Sequence, residues 1–538
     1  MFNNSARLSG LRLRKGFVPA AVLGTLLLAG CAVTPEPLTQ AENDSRVQAD
    51  LSRLFANQEK IDGPLSLDDA IARALKYNLD HRLKLMEEAV SMGQLDVANV
   101  NLLPDVVAKT GWTTRNNRDS TFNEQQTSTS VSSDRSIRKS DLSVSWNVLD
   151  FAIGYMRAHQ QADMALIVSE RRRQVIHSVV NETRGAYWRA VAADRALKDF
   201  DPVLDRVRGA LGRSQKQVDE GLGGQLDALS YQEDLLVTLR ELETRRRQLV
   251  EARTELAVLM NIHPDSKFTL LDSSTDSHPL PFIAMTSDQL ELEALHNRSE
   301  LRSEAYQLRI NQRDSKIALI QMVPGLNFSA GINHTTDSYK VNSRWYDGAL
   351  NLSWNLMQIV KAPANMKLAD TQIELSKVRS LALSMAVISQ VNIAQLRFNH
   401  ALDDFKLADR ISNVQGRIVN SMQAQRSANT VGESDEIRAQ VRSLLSGLQR
   451  DMAYADLQAA YGQVFSSIGV DPLPGDVADD SLDTIADGIQ TVMTQWQNGQ
   501  FDARGVVATD DVVTDPDGKA VTDGHDTAMI ENHAQAQQ

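Results

Sequence analysis

Strict alternation of apolar and polar residues marks three segments of the chain. Leu142, Val144, Trp146 and Val148 alternate with Ser143, Ser145 and Asn147. Leu326, Phe328, Ala330 and Ile332 oppose Asn327, Ser329, Gly331 and Asn333, and Leu350, Leu352, Trp354 and Leu356 alternate with Asn351, Ser353 and Asn355. A period of two sends successive side chains to opposite faces, so each segment predicts a strand with one apolar and one polar face. A fourth, less regular strand follows Pro104, where Val106, Ala108, Thr110 and Trp112 alternate with Val107, Lys109, Gly111 and Thr113. Elsewhere the period is helical. Ser66 and Asp69 have capping-box spacing, and Leu67, Ala70, Ile71, Ala74 and Leu75 fall on one helical face; Thr286 and Gln289 repeat the capping pair. Pro104 and Pro324 end these helical patterns, because proline lacks the amide donor a helix interior needs.

From Met156 to about Val218 the chain is dense in Ala, Leu, Arg, Glu and Gln, with Pro202 as its one proline. At about 1.5 Å per residue it predicts a rod of roughly 100 Å, which Pro202 either kinks or interrupts. A second helical segment, Leu226 to Asn261, follows Gly221-Leu222-Gly223-Gly224, and the arrangement returns around Asn429-Thr430-Val431-Gly432. Antiparallel helical hairpins with tight tips are predicted at both places.

The chain is internally duplicated. Leu142 to Val148 recurs as Leu350 to Leu356 at an offset of 208, which also relates Gly224 to Gly432, Asp227 to Asp435 and Pro264 to Pro472. Upstream the offset is 220, relating Ala74 to Ala294, Arg82 to Arg302, Pro104 to Pro324 and Gly111 to Gly331. The difference lies between Gly111 and Leu142, a polar insertion rich in Ser, Thr, Asn and Arg. Residues 64–272 and 285–474 thus read as two repeats, each with helix, strand, loop, strand, long helix and second helix.

Strands of roughly nine to eleven residues with one apolar and one polar face suit a membrane barrel with a wet lumen. Four strands cannot enclose a lumen, and lipid tolerates no open sheet edge, so several chains must contribute to one barrel.

The N-terminus agrees with an envelope location. Arg7, Arg12, Arg14 and Lys15 precede an apolar run from Phe17 to Leu28 that is too short to span a bilayer, a pattern that reads as a secretion signal over 1–30. The run closes on Leu28-Ala29-Gly30-Cys31, which resembles a bacterial lipobox; this implies a diacylglyceryl group on Cys31, and Ala32 after it implies export to the outer membrane. Residues 31–63 are expected to form an extended tether, and 475–538 an acidic, disordered tail. No further stretch reaches about 18 apolar residues, so no membrane-spanning helix is expected in the remainder.

Charge and motif content narrow the function classes. Net charge is −13, and −17 without the four basic residues of the signal, which argues against a nucleic-acid partner. The single cysteine allows no internal disulfide. The glycine-rich tip has no preceding strand and no following Lys-Ser/Thr, so it is not a phosphate loop. No metalloprotease, nucleophile-elbow or paired-histidine pattern occurs, so neither an enzyme nor a cofactor is expected. His263, His334 and His400 read as surface or packing residues, and Arg171-Arg172-Arg173 as a solvated helix face.

With these residues assembled, the chain resembles the TolC family of outer-membrane factors, in its lipoprotein branch. The resemblance covers roughly Leu65 to Pro472 and rests on the two Ser-Trp-Asn strand-to-helix segments, the prolines 220 apart and the two Gly-x-x-Asp tips. It implies an α+β membrane protein: a homotrimer whose four strands per chain form one twelve-stranded barrel, continued by long coiled-coil helical hairpins into the periplasm. The implied partners are a periplasmic adaptor (membrane fusion) protein, an inner-membrane pump or exporter ATPase, and outer-membrane lipid. By the same resemblance Gly221, Gly224 and Asp227 form one periplasmic tip, and Gly432, Glu433 and Asp435 the other, where the adaptor docks and the tunnel narrows. Three residues after Asp435, where relatives often carry an acid, this chain has Arg438. The candidates for a constriction are therefore Glu433, Asp435, Glu436 and Arg438, with the acidic three read either as a cation-attracting ring or as solvated cap residues. The alternative to a channel subunit of an efflux or type I secretion system is a lipid-anchored coiled-coil scaffold of the envelope.

Overall fold

Capped starts and proline stops position the helices of the chain, seen in a computed structural model that describes residues 35–123, 128–220, 224–271, 279–427, 432–473 and 481–497. Cys31, Gly221 and everything beyond residue 497 lie outside the described residues. Residues before Glu59 form a unit of their own. Its helix α1 (Gln40–Leu54) is closed by a capping box of Thr39 and Glu42, which corrects the expectation of a wholly extended tether. The reciprocal Thr-Glu bonds satisfy two orphan amides at the start of a polar segment that composition alone reads as coil.

In the first repeat, α2 (Leu67–Tyr77) starts at the Ser66–Asp69 capping box and buries Ala70, Ile71, Ala74 and Leu75. The backbone then turns at Asn78, whose side-chain oxygen accepts from the amides of Asp80 and His81 and so caps α3 (Leu79–Val100). Helices α6 (Ser287–Asn297) and α7 (Ser299–Ile320) repeat the pair around an extended Arg298. Each single helix expected from the apolar pattern is thus two, because the break is made by one residue's backbone rather than by a proline or glycine.

Strand β4 (Ser136–Asn147) runs directly into α4 (Val148–Asp219), with the Asn147 side chain accepting from the amides of Leu149 and Asp150. Strand β6 (Arg344–Ser353) is followed in the same way by α8 (Leu356–Ser427), and α4 and α8 are each 72 residues long. Pro202 lies inside α4 without ending it; Phe200 and Leu204 on either side are buried in the core and hold the helix through the missing hydrogen bond. The returning helices are α5 (Gln225–Leu259) and α9 (Glu433–Ile468).

The sheet has the order β1-β4-β5-β6, all antiparallel, with β1 spanning Asp105–Thr114 and β5 spanning Gly325–Thr335. Within the polar insertion of the first repeat lies a separate hairpin of β2 (Asp119–Asn123) and β3 (Ser128–Ser133). Its Ser/Thr-rich strands carry no apolar alternation, so periodicity does not reveal them.

Two buried clusters hold the helices. One joins α2, α4, α8 and α9 around Tyr187, Trp188, Phe405 and Tyr454; the other packs Phe200, Leu204 and Val207 of α4 on Leu235, Leu242 and Leu249 of α5 and Ile437 and Val441 of α9. The first cluster includes a helix the sequence reading missed, α10 (Leu482–Gln497), within the segment expected to be disordered. Ile485, Ile489 and Trp496 are buried there, and Trp496 stacks on Phe465 at 4.5 Å between ring centroids. Their spacing of four and seven residues is helical, but the acidic composition around them conceals it.

Candidate functional site: the two-faced sheet and the helix tips

Register decides whether four amphipathic strands make one amphipathic sheet. Here Val106, Val144, Ala330 and Gly348 are consecutive partners across the sheet, as are Ala108, Leu142, Ile332 and Tyr346, and Trp146, Phe328 and Leu350 form the next row. One face is therefore apolar across all four strands, with Trp112, Tyr346, Leu350 and Leu352 widely exposed. The opposite face carries Lys109 against Asp141 and Asn333, and Ser143 against Gly331 and Asp347, with Asn333 donating to Asp347 at 3.0 Å. Among the described residues the two outer strands, β1 and β6, each pair on one side only.

At the far ends of the long helices, Gly224 caps α5 and Gly432 caps α9, the two positions related by the 208 offset. Asp227 and Asp435 sit in the first turns, where a negative charge complements the helix dipole. Side chains from four helices meet behind them. Arg213 of α4 pairs with Glu433, Arg206 of α4 lies 2.7 Å from Glu436, Arg426 of α8 lies 3.9 Å from Glu436, and Arg438 of α9 pairs with Asp234 of α5. Arg438 also lies 4.0 Å from Asp435. Glu436 is buried. Burial first, then the Glu433 carboxylate, push the nearby Tyr231 hydroxyl above its ordinary value. The sequence reading named Glu433, Asp435, Glu436 and Arg438 of this cluster and missed Arg206, Arg213, Arg426 and Asp234, which are remote along the chain and carry no local signal.

A second polar knot ties the two repeats together. Arg173, expected on a solvated face, is instead largely buried: it pairs with Asp471 and donates to the carbonyls of Asn297 at 2.8 Å and Gly469 at 2.7 Å. His177 also meets Asp471, at 3.0 Å, and Glu170 links Arg173 to Arg302. Arg172 pairs with Glu88, so of the three arginines only Arg171 fits the solvated reading. Helix α8 includes one stretch long and apolar enough, by length and composition alone, to cross a membrane, a property that core helices share. Leu375, Val378, Leu381, Met385 and Leu396 of this helix are exposed.

No family model and no curated protein matches the chain. Among solved structures it is similar to a membrane protein from Pseudomonas aeruginosa, at 16% identity over 79% of this chain and 98% of that one, with a TM-score of 0.61. The Campylobacter jejuni CmeC outer membrane channel is similar at 13% identity over 88% of this chain and 98% of its own, TM-score 0.59. The open state of the Neisseria gonorrhoeae MtrE outer membrane channel is similar at 16% identity, covering 75% and 88%, TM-score 0.57. With its small antiparallel sheet feeding two pairs of long helices, the chain has the fold of the TolC-type outer-membrane channels.

Proposed function

We propose that the protein is the outer-membrane channel subunit of a tripartite efflux or type I secretion system, passive and without catalysis. The observation that carries this reading is the register: it gathers the apolar positions of all four strands on one face while leaving β1 and β6 open at their outer sides. An apolar face of this kind suits lipid, and open edges in lipid must be paired, so copies of the chain join β1 to β6 until the barrel closes. Three copies give twelve strands. Exposed apolar residues along α3 (Leu79, Leu83, Met86, Val90) and α8 (Leu381, Met385, Leu396) support the same assembly, since helices this apolar need cover. Cys31 would carry the lipid. The tips around Gly221, Gly224 and Asp227, and around Gly432, Glu433 and Asp435, would receive a periplasmic adaptor that links the channel to an inner-membrane pump or exporter ATPase.

Glu433, Asp435 and Glu436 each lie beside an arginine of the same chain. In this reading the constriction is a set of ion pairs holding the two hairpins together rather than a bare acidic ring. The test is single-channel conductance of the full-length protein in planar bilayers together with its mass in detergent. Discrete openings from a trimer are expected; a stable monomer without conductance would turn the reading into the envelope scaffold.

A further inference from the structure

Beyond the apolar band, the outward face of the sheet changes chemistry at the end remote from the long helices. The row holding Ala108, Leu142, Ile332 and Tyr346 is the last apolar one; the next is Thr110, Ser140, His334 and Arg344, and beyond it Trp112 faces Arg138. Arg138 on β4 and Arg344 on β6 therefore share the face that carries the apolar residues, one or two rows past its edge. Tyr346, 82% exposed, closes the last apolar row, and Trp112, 75% exposed, stands in the row of Arg138, so the two rings bracket the row of Arg344. Amphipathic aromatic rings at the end of an apolar band mark the headgroup level of a bilayer.

Both arginines are exposed, and neither guanidinium has an ion-pair partner among the described residues. The acids of the adjoining loops are engaged elsewhere: Asp134 and Asp337 accept backbone amides across the loops, and Asp119 pairs with Arg115 at 2.8 Å. With one strand between them and one row of offset, the two Cα atoms are about 12 Å apart, within reach of a single headgroup for two long side chains. A guanidinium binds phosphate oxygens in a fork, and its charge is tolerated on a lipid-facing surface only near the interface.

We propose that Arg138 and Arg344 form a docking rim for a phosphate-bearing lipid of the outer leaflet, one rim per protomer. The inference rests on the barrel reading above, since only a sheet facing lipid presents these side chains to headgroups. It is tested with the full-length protein in detergent, by equilibrium binding of bis-phosphorylated lipid A and of the same lipid with its phosphates removed. An anionic surface is worth about fivefold in affinity for each arginine, so the R138Q/R344Q variant is expected to bind the phosphorylated lipid about thirtyfold more weakly. The R138K/R344K variant should recover most of that loss, and K109Q/K139Q, which removes equal charge from the opposite face, should lose little. Equal binding by wild type and R138Q/R344Q overturns the rim, as does an equal loss in K109Q/K139Q or indifference to the phosphates. Conductance of the same preparations separates the two readings. Normal openings with unchanged lipid binding in R138Q/R344Q overturn the rim alone, whereas a monomer without openings overturns the conduit and the rim with it.

Discussion

Gly469 and Asn261 occupy the same place in the two repeats, just past the ends of α9 and α5, and both have positive φ, 71° and 53°. Asparagine tolerates this conformation, but at Gly469 a Cβ would also lie 2.9 Å from the carbonyl oxygen of Asn297. Gly469→Ala is therefore expected to cost about 2 to 4 kcal/mol, read as a lowered denaturant midpoint, while Asn261→Gly changes it little. Asp471, two residues on, feels opposing influences. Burial acts to raise its carboxyl, but the hydrogen bond from His177 and the charge of Arg173 outweigh it and hold the group below its ordinary value. A depressed carboxylate adds stability above its unfolded pKa, near pH 4, and loses that contribution as pH falls through the folded value. Thermal unfolding should thus show wild type well above Asp471→Asn at neutral pH, with the gap closing below about pH 4. A gap that stays constant into acid would remove Asp471 from the account.

At the scale of elements, the tips and α10 make separate predictions. The ion pairs Arg206–Glu436 and Arg438–Asp234 link α9 to α4 and α5. The Arg438–Asp234 pair is exposed and contributes at most about 1 kcal/mol to stability, but Glu436 is buried, so R206Q/R438Q should lower the unfolding midpoint through the carboxylate left without Arg206. If the pairs hold the tunnel narrow, the same variant should open more often or conduct more in bilayers; unaltered single-channel records would dismiss that role. Helix α10 contributes through packing. Trp496→Ala removes the ring stacked on Phe465 and is expected to cost about 3 to 5 kcal/mol, measured as a fall in unfolding midpoint. The elements themselves were largely legible in the chain. Capping boxes at Ser66 and Thr286, prolines after α3 and α7, and the alternation in β4, β5 and β6 gave most of their boundaries. What escaped were the turns at Asn78 and Arg298 and the Ser/Thr hairpin, which lack a strong breaker or a clean period, and α1 and α10, which lie in polar or acidic stretches.

For the whole molecule, assembly is the outcome that matters. The exposed apolar residues of α8 are expected to be covered by neighbouring copies, so Leu381→Lys with Leu396→Lys should shift the detergent-solubilised protein from trimer to monomer in sedimentation. A trimer that survives both changes would mean that the strands alone drive association. The duplication, the two-faced strands and the long helices follow from periodicity, capping and proline placement, because these forces act within a few residues and are written in local order. Only the tertiary structure decided that Arg173 meets Asp471, that Arg206, Arg213 and Arg426 join Arg438 behind the acidic tips, and that the strand registers align every apolar row. Those contacts join positions far apart in the chain. Their energy depends on burial and distance in three dimensions, which no local pattern contains.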